Sequence, residues 1–423
     1  MNIEEDNLVH GYIIFQFMYD KEMWIRLRLD IGWRDLCYGF FGSFAPGKRE
    51  TVQEKLEDLW SEGQNDALAC LSVRSGFDLL LQALALPERS EVLFSAITIR
   101  DMPRIAKAHN LVAVPVDVCG SDYHIDIDSL QQAVTSKSRI LVIAHLFGAR
   151  PDMQEVLNFA HEHNLFVVED CAEAWCEPDW RGNEQADASL FSFGTIKTAT
   201  ALGGALCRIK DLTILTRMRD IQSQEPVYPA RKLALDCFKV AFLKIISMRI
   251  LFGAIVKIGK RFRKNVNDIL GGMTRGFSDD SLLPQLRQQP TTGTLRLLKR
   301  RLETYDSQRI ARRIKHAQLI VAKLGLENLQ PELLNNQHSF WLFPYITDRP
   351  EALINFLRKH SFDTTQRGRL EIVSPPPDHP ELNSPTATEL LKQTVFLPCY
   401  TEIPGAAINR MCALILDFTT DSS

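Results

Sequence analysis

From about residue 69 onward, short wholly apolar runs alternate with stretches in which apolar positions recur at helical spacing. Runs of the first kind read as strands buried on both faces, and stretches of the second kind as helices laid over them. The pattern therefore predicts an α/β fold with a mainly parallel central sheet flanked by helices. SGFDLLLQALAL at 75–86 predicts a helix opening on a small-residue turn, EVLFSA at 91–96 a strand, 101–110 a helix, and LVAVPVDV at 111–118 a strand. RILVIAHLF at 139–147 predicts a buried strand, 151–164 a helix with proline near its start, and LFVVED at 165–170 a second buried strand ending on two acids. ASLFSF at 188–193 and GALCRI at 204–209 predict two more strands, with GTIKTATALG at 194–203 as the loop between them. In open sheets of this kind ligands sit beyond the strand ends, so an acid closing one strand and a lysine leaving another can converge there.

Beyond about residue 291 the pattern changes. TLRLLKRRLETYDSQRIARRIKHAQLIVAKLG at 294–325 predicts one strongly basic helix, followed by strand and helix patterns in HSFWLFPYI at 338–346 and PEALINFLRKH at 350–360. Residues 291–423 thus read as a smaller C-terminal α+β domain beside a large domain at 49–221, and SPPPDHPELNSP at 374–385 reads as a loop. Residues 1–48 hold Tyr12, Phe15, Phe17, Trp24, Trp33, Tyr38, Phe40 and Phe41, which predicts an aromatic-rich arm packed on the body or on a second subunit. Segment 222–290 stands apart. Within it, ALDCFKVAFLKIISMRILFGAIVKIGKRFRK at 234–264 combines a long apolar helix with cations that recur too often for a membrane-spanning helix. On a helical wheel most of them fall on one broad side, so the segment either lies on an anionic membrane surface or packs on a partner.

Composition narrows the classes. With 423 residues, 45% of them hydrophobic, the chain can bury a large core, and 49 basic against 52 acidic residues leave a net charge of -3. That balance gives no global attraction to nucleic acid. Nine cysteines scattered without CxxC pairs argue against a metal site or a disulfide framework and fit a reducing cytoplasm. Met1 to Asn7 is acidic where a secretory signal needs positive charge, so export is not expected.

The candidate chemistry lies in VVED, which ends at Asp170, and SFGTIK, which ends at Lys197. An aldehyde cofactor such as pyridoxal 5'-phosphate (PLP) needs a lysine amine to hold it, and that amine is released by the incoming substrate amine to move a proton. It also needs a carboxylate against the ring nitrogen, because the opposite charge keeps the nitrogen protonated. Asp170 can supply that charge. The phosphate needs backbone donors, which a helix opening at Ser75 and Gly76 would present, and Ser192 can add a hydroxyl. Singly, each residue has a plainer explanation: a lysine as a solvated charge, an acid at a strand end as a cap, Ser-Gly as a helix start. Their order and spacing together favour the cofactor.

In these blocks the sequence resembles the DegT/DnrJ/StrS-type sugar aminotransferases, fold-type-I PLP enzymes. The likeness runs from about residue 54 through VRSGFDLLLQAL, FSAITIRDMPRIAKAHNLVAVPVDV, HLFGARPDMQEVLNFAHEHNLFVVEDCAEAW and DASLFSFGTIKTATALGGAL to PTATELLKQTVFLPCY. By that resemblance Lys197 is the cofactor-binding and catalytic lysine, and Asp170 is the acid on the pyridine nitrogen. Glu173 lies near the ring and its phenolic oxygen, Ser192 helps hold the phosphate, and the amides of Ser75, Gly76 and Phe77 bind it. The resemblance further implies a homodimer with active sites at the subunit interface. It implies amino transfer from an amino acid, typically glutamate, to a nucleotide-linked keto sugar of polysaccharide or glycan biosynthesis. Three departures stand out. Ile99 replaces an aromatic that stacks on the ring, Ser278 and Asp280 replace an asparagine and an arginine that complete the interface side, and 222–274 looks like an insertion. Two other readings stay open: a PLP enzyme of another reaction type, such as a sugar dehydratase, whose branch replaces the lysine with histidine, and a binding or regulatory protein that has lost turnover.

Overall fold

Apolar runs become strands here because both of their faces are covered. The computed structural model describes residues 23–246 and 282–420, apart from 27, 178, 329, 335–336 and 367–369. In chain order the strands are β1 (Ala67–Cys70), β2 (Glu91–Ser95), β3 (Ile97–Ile99), β4 (Val112–Val116), β5 (Val118–Cys119), β6 (His124–Ile125) and β7 (Ser138–Ala144). They continue as β8 (Phe166–Asp170), β9 (Ala188–Ser192), β10 (Ala205–Ile209), β11 (Phe343–Ile346), β12 (Thr365–Gln366), β13 (Leu370–Ile372) and β14 (Thr394–Leu397). Seven of them form the central sheet in the order β1-β10-β9-β8-β7-β2-β4. From β9 through β4 all pairings are parallel, while β10 is antiparallel to both of its neighbours. Successive strand residues alternate between two layers, as the period of two requires. Phe94, Val142 and Leu190 join the core beneath helix Val73–Leu84, whereas Leu93, Leu141 and Phe191 face the other side.

The predicted elements are found, with instructive shifts. The helix expected at 75–86 is Val73–Leu84, because Ser72 adopts an extended backbone and its Oγ accepts a hydrogen bond from Ser75 N–H at 3.1 Å, capping the first turn earlier. Gly76 lies on the inner side of that helix, where a Cβ would collide with Cys207 Sγ of β10. The basic helix expected as one piece is two, Thr292–Glu303 and Gln308–Leu324. The break lets Tyr305 turn inward and donate to Asp30 Oδ2 at 2.8 Å, while Asp306 Oδ1 accepts Gln308 N–H at 3.0 Å to start the second helix.

A second sheet, β11-β14-β12, closes with helices Gln308–Leu324, Pro350–Lys359 and Gly405–Thr420 around a separate core that includes Ile320, Phe343, Leu357 and Met411. Only Phe343–Ile346 of the run 338–346 is strand. Ahead of it, Ser339 N–H bonds Gly148 O at 2.7 Å and Leu342 N–H bonds Phe147 O at 3.1 Å, which ties this segment to the loop after β7. The N-terminal arm divides. Trp24 is buried in the second core, its N–H bonded to Ser361 O and its carbonyl to Asp363 N–H, both at 2.8 Å. Trp33, Tyr38, Phe40 and Phe41 belong to helix Trp33–Gly42 and are exposed, while Tyr12, Phe15 and Phe17 lie outside the described residues. That helix runs against Ala230–Ile246 in the opposite direction, with Lys244 over the Trp33 ring at 5.8 Å and Cys237 opposite Gly39. The remainder of 234–264 lies outside the described residues. Among the described residues no helix is long and apolar enough to cross a membrane.

Candidate active site

Three of the expected residues end up at one edge of the central sheet because their strands stop there. Parallel pairing aligns Ala144 of β7 with Asp170, the last residue of β8, and Asp170 with Leu190 of β9. Ser192 closes β9 opposite Ala205 of β10, which in turn faces Cys70 at the end of β1. The strand ends carrying Asp170 and Ser192 therefore share one edge with the turn that starts helix Val73–Leu84. The loop 193–204 that leaves β9 crosses the same edge, and Gly204 N–H bonds Leu71 O at 3.0 Å. Lys197 sits in this loop.

Lys197 Nζ lies 3.1 Å from Glu173 Oε1 and 4.2 Å from the centre of the Trp341 ring, with its side chain only 15% exposed. Glu173 is fixed from the other side, since its Oε2 accepts Phe147 N–H at 2.9 Å. The amine thus has a defined position rather than a solvated one. Asp170 is buried and accepts Ala172 N–H at 3.1 Å. Burial pushes its carboxyl above the ordinary range, although the Ala172 hydrogen bond and the Lys197 charge pull the other way. A carboxylate held in such a place calls for a cationic partner. Beneath it, His145 Nε2 is paired with Glu169 Oε1 at 2.8 Å. Together with Cys171 these two form a buried group whose ligand atoms lie within 4.8 Å of one another. Burial drives the Cys171 thiol well up, which opposes the thiolate a metal needs, so the trio reads as packing under Asp170.

The phosphate-side donors need correction. Because the helix begins at Val73, Ser75 N–H is taken by Ser72 Oγ, Gly76 N–H bonds Ser72 O at 2.9 Å, and Phe77, fully buried, falls inside the helical ladder. The amides with no acceptor inside the helix are those of Val73 and Arg74, just ahead of the Ser75 start that was expected. Ser75 Oγ lies 3.0 Å from Ser72 Oγ, so both hydroxyls face this turn. Ser192 Oγ is partly exposed at the sheet edge and accepts Gly194 N–H at 3.4 Å. Ile99 pairs with Leu370 of β13 and packs against the core. Ser278 and Asp280 lie outside the described residues.

Sequence reasoning missed two residues. Trp341 covers Lys197 and donates its Nε1–H to Ile196 O at 3.0 Å. Arg313 is buried under the same loop, donating to Ser339 O at 2.8 Å and to Thr198 Oγ1 at 3.4 Å. Its Nη2 has no hydrogen-bond partner among the described residues. Both come from beyond residue 300 and reach the loop across the fold, so no local spacing announces them. Aromatic crowding in SFWLF is the one visible trace.

Residues 50–231 match the family described as the DegT/DnrJ/EryC1/StrS aminotransferase family. The likeness to that family is one of this stretch of the chain. It contains every expected site residue from Ser75 to Lys197. GDP-perosamine synthase of Escherichia coli O157:H7 is 29% identical over 177 residues, covering 40% of this chain and 48% of that protein. The dTDP-3-amino-3,4,6-trideoxy-alpha-D-glucose transaminase of Micromonospora megalomicea subsp. nigra is 32% identical over 173 residues, covering 38% and 46% respectively. The chain thus spans about half the length, or less, of the curated relatives it matches. The solved structure of the aminotransferase TlmJ from Streptoalloteichus hindustanus superposes with a TM-score of 0.66 at 14% identity, over 93% of this chain and 98% of that one. Helicobacter pylori PseC, an aminotransferase involved in the biosynthesis of pseudoaminic acid, does so with a TM-score of 0.66 at 14% identity, over 94% and 99%. These two establish the fold, a mainly parallel sheet flanked by helices with a smaller α+β part.

Proposed function

We propose that this chain is a PLP-dependent aminotransferase that takes an amino group from an amino acid, glutamate by expectation, and delivers it to a keto or aldehyde carbon of a nucleotide-linked sugar. The observation that carries the reading is a positioned amine, Lys197 Nζ at 3.1 Å from Glu173, facing the same sheet edge as the buried carboxylate of Asp170. The residues fit PLP. Asp170 is a buried acid whose carboxyl is pushed up by burial, the helix start at Val73 offers amides without helical acceptors, and Ser72, Ser75 and Ser192 offer hydroxyls. PLP, when bound, supplies an electron sink that weakens the bond to hydrogen at the carbon bearing the amine. Lys197 would hold the aldehyde through Nζ and, once released, carry the proton at that atom. Glu173 restrains where Nζ points, and the Trp341 ring excludes water from one side. Asp170 would fix the ring by charge, and Ser192 with the Val73 and Arg74 amides would hold the phosphate.

The test is a half-reaction. Protein loaded with PLP and treated with glutamate should convert the cofactor to its amine form, and one member of a panel of nucleotide-linked keto sugars and aldehydes should restore the aldehyde. Loading with colour but no exchange from any amino acid would instead support a binding role.

Homodimer formation, cytoplasmic location and peripheral membrane contact extend the proposal. Helices Trp33–Gly42 and Ala230–Ile246 expose Phe41, Leu235, Phe238 and Phe242, and Lys239 is exposed on the second of them although paired with Asp236 at 3.3 Å, so these helices offer apolar side chains to a lipid surface. The protein is expected to co-sediment with anionic vesicles at low salt, and raising the salt to about 0.5 M should release most of it, since headgroup attraction is screened. Absence from the vesicle pellet at low salt would remove this part of the proposal.

A further inference from the structure

Away from the sheet edge, the β5–β6 hairpin brings a thiol, an imidazole and a carboxylate into one chain of contacts. Cys119 Sγ lies 2.9 Å from His124 Nε2, and His124 Nδ1 lies 2.6 Å from Asp122 Oδ1. The two partners sit on opposite ring nitrogens, so the three groups form a relay and share no point where a metal ion could meet them all. We propose that Cys119 is a site of covalent modification by small uncharged α,β-unsaturated carbonyl compounds, with His124 as its base and Asp122 as the group that orients the imidazole and stabilises the imidazolium formed when it takes the proton.

Several features of the hairpin serve that arrangement. Gly120 has φ +67°, and a Cβ there would meet His124 Cε1 at 2.8 Å and Asp122 Oδ1 at 2.9 Å, so only glycine lets the imidazole fold over the turn. Tyr123 also has positive φ, 60°, an uncommon state for an aromatic. It is held there by its hydroxyl, 2.6 Å from Thr394 Oγ1, and by an edge contact with Phe147 at 5.0 Å. Asp122 is 8% exposed, which limits competition from water for the His124 bond. Cys119 and His124 line a cavity of about 130 Å³ together with Ile127, Ile143 and Met153 on the apolar side and Asp126, Asp152 and Glu155 on the other. The space admits a molecule of a few heavy atoms. The carboxylates of this cavity would repel an anion.

The acids decide how the thiol is activated. Burial, and after it the carboxylates of Asp126, Asp122, Asp117 and Glu332, push the Cys119 thiol up to about 11, so the resting sulfur keeps its proton and donates it toward Nε2. His124 is raised as well: the Asp122 hydrogen bond increases its affinity for a proton, opposed by burial and helped by the charges of Asp122, Glu332 and Asp126. Proton transfer therefore accompanies attack, as in a hydroxyl–imidazole pair. In the step itself the S–H bond breaks as its proton passes to Nε2, sulfur bonds the β-carbon, and the electron pair of the carbon–carbon π bond becomes the enolate. The proton on Nε2 then passes to the α-carbon, so no oxidant or reductant enters.

Cys37, exposed on helix Trp33–Gly42, serves as an internal reference in the same molecule. The intact protein would be treated with acrylamide, or with its anionic analogue acrylate, and the modified peptides counted by mass spectrometry. At neutral pH Cys119 should react about 10-fold faster than Cys37 with acrylamide and lose that advantage with acrylate. Its rate should rise through the imidazole range, above the ordinary value of about 6.5, rather than through the thiol range. His124→Gln and Asp122→Asn should each cut the Cys119 rate about 10-fold or more and leave Cys37 unchanged. Equal rates at Cys119 in the parent and in His124→Gln would overturn the proposal. So would a parent pH profile that follows the thiol alone, a measurement that needs no variant to fold.

Discussion

Lys197→Ala is expected to abolish exchange between glutamate and a keto acceptor, lowering turnover by about 10³-fold or more, because the amine that holds the aldehyde and moves the proton is gone. The alanine also leaves Glu173 facing the Trp341 ring without its cation, at a cost of about 1–3 kcal/mol. Lys197→Arg separates the two effects. A guanidinium can still pair with Glu173, but it does not lose its proton in a protein and cannot attach the cofactor. The expected result is a thermal midpoint close to the parent's together with turnover as low as in Lys197→Ala, read by calorimetry and by glutamate-dependent exchange. Retention of exchange in either variant would move the chemistry to another residue.

Asp170→Asn should lower turnover by a similar factor of about 10³, yet it should not weaken the cofactor-free fold. Burial raises this carboxyl above its unfolded value, so the folded chain binds the proton more tightly than the unfolded chain does. Stability of the cofactor-free protein therefore falls as pH climbs through the ordinary carboxylate range toward the folded value, and at neutral pH the ionised group is a burden. Asparagine removes that burden. Bound PLP reverses the sign, because a protonated ring nitrogen stabilises the carboxylate that the empty fold disfavours. Melting curves with and without PLP at pH 5 and pH 8 check this: the variant should match or exceed the parent without cofactor and lose most of the cofactor's stabilising effect. Equal destabilisation in both states would make Asp170 a structural residue only.

The sheet edge was readable from sequence for a simple reason. Runs such as LFVV at 165–168 and the Leu190–Phe191 pair put apolar side chains on both faces, as strands in the middle of a layered sheet require, and the residues at their ends then gather at one edge. That places Asp170 and the loop carrying Lys197 at one edge, while the roles proposed for them rest on the order and spacing of the motifs and on the family resemblance. The helix start was misplaced because Ser72 and Ser75 both have capping side chains, and which one caps depends on the turn after β1, which periodicity does not report. The break in the basic helix was missed because its apolar spacing continues across residues 304–307 and the Asp306 cap is a weak local signal. Trp341 and Arg313 could not be found by any local rule, since their hydrogen bonds to Ile196 and Thr198 span 145 and 115 residues. Glu173 was named by the resemblance, but what holds it, an amide on the loop after β7 bonded to its second oxygen, no local spacing shows.

Sodium borohydride reduction of the PLP-loaded protein, followed by peptide mapping, tests the central claim most directly. The account predicts one pyridoxyl group per chain, on the peptide that carries Lys197. A pyridoxyl group on a different lysine, or none at saturating PLP, would contradict it.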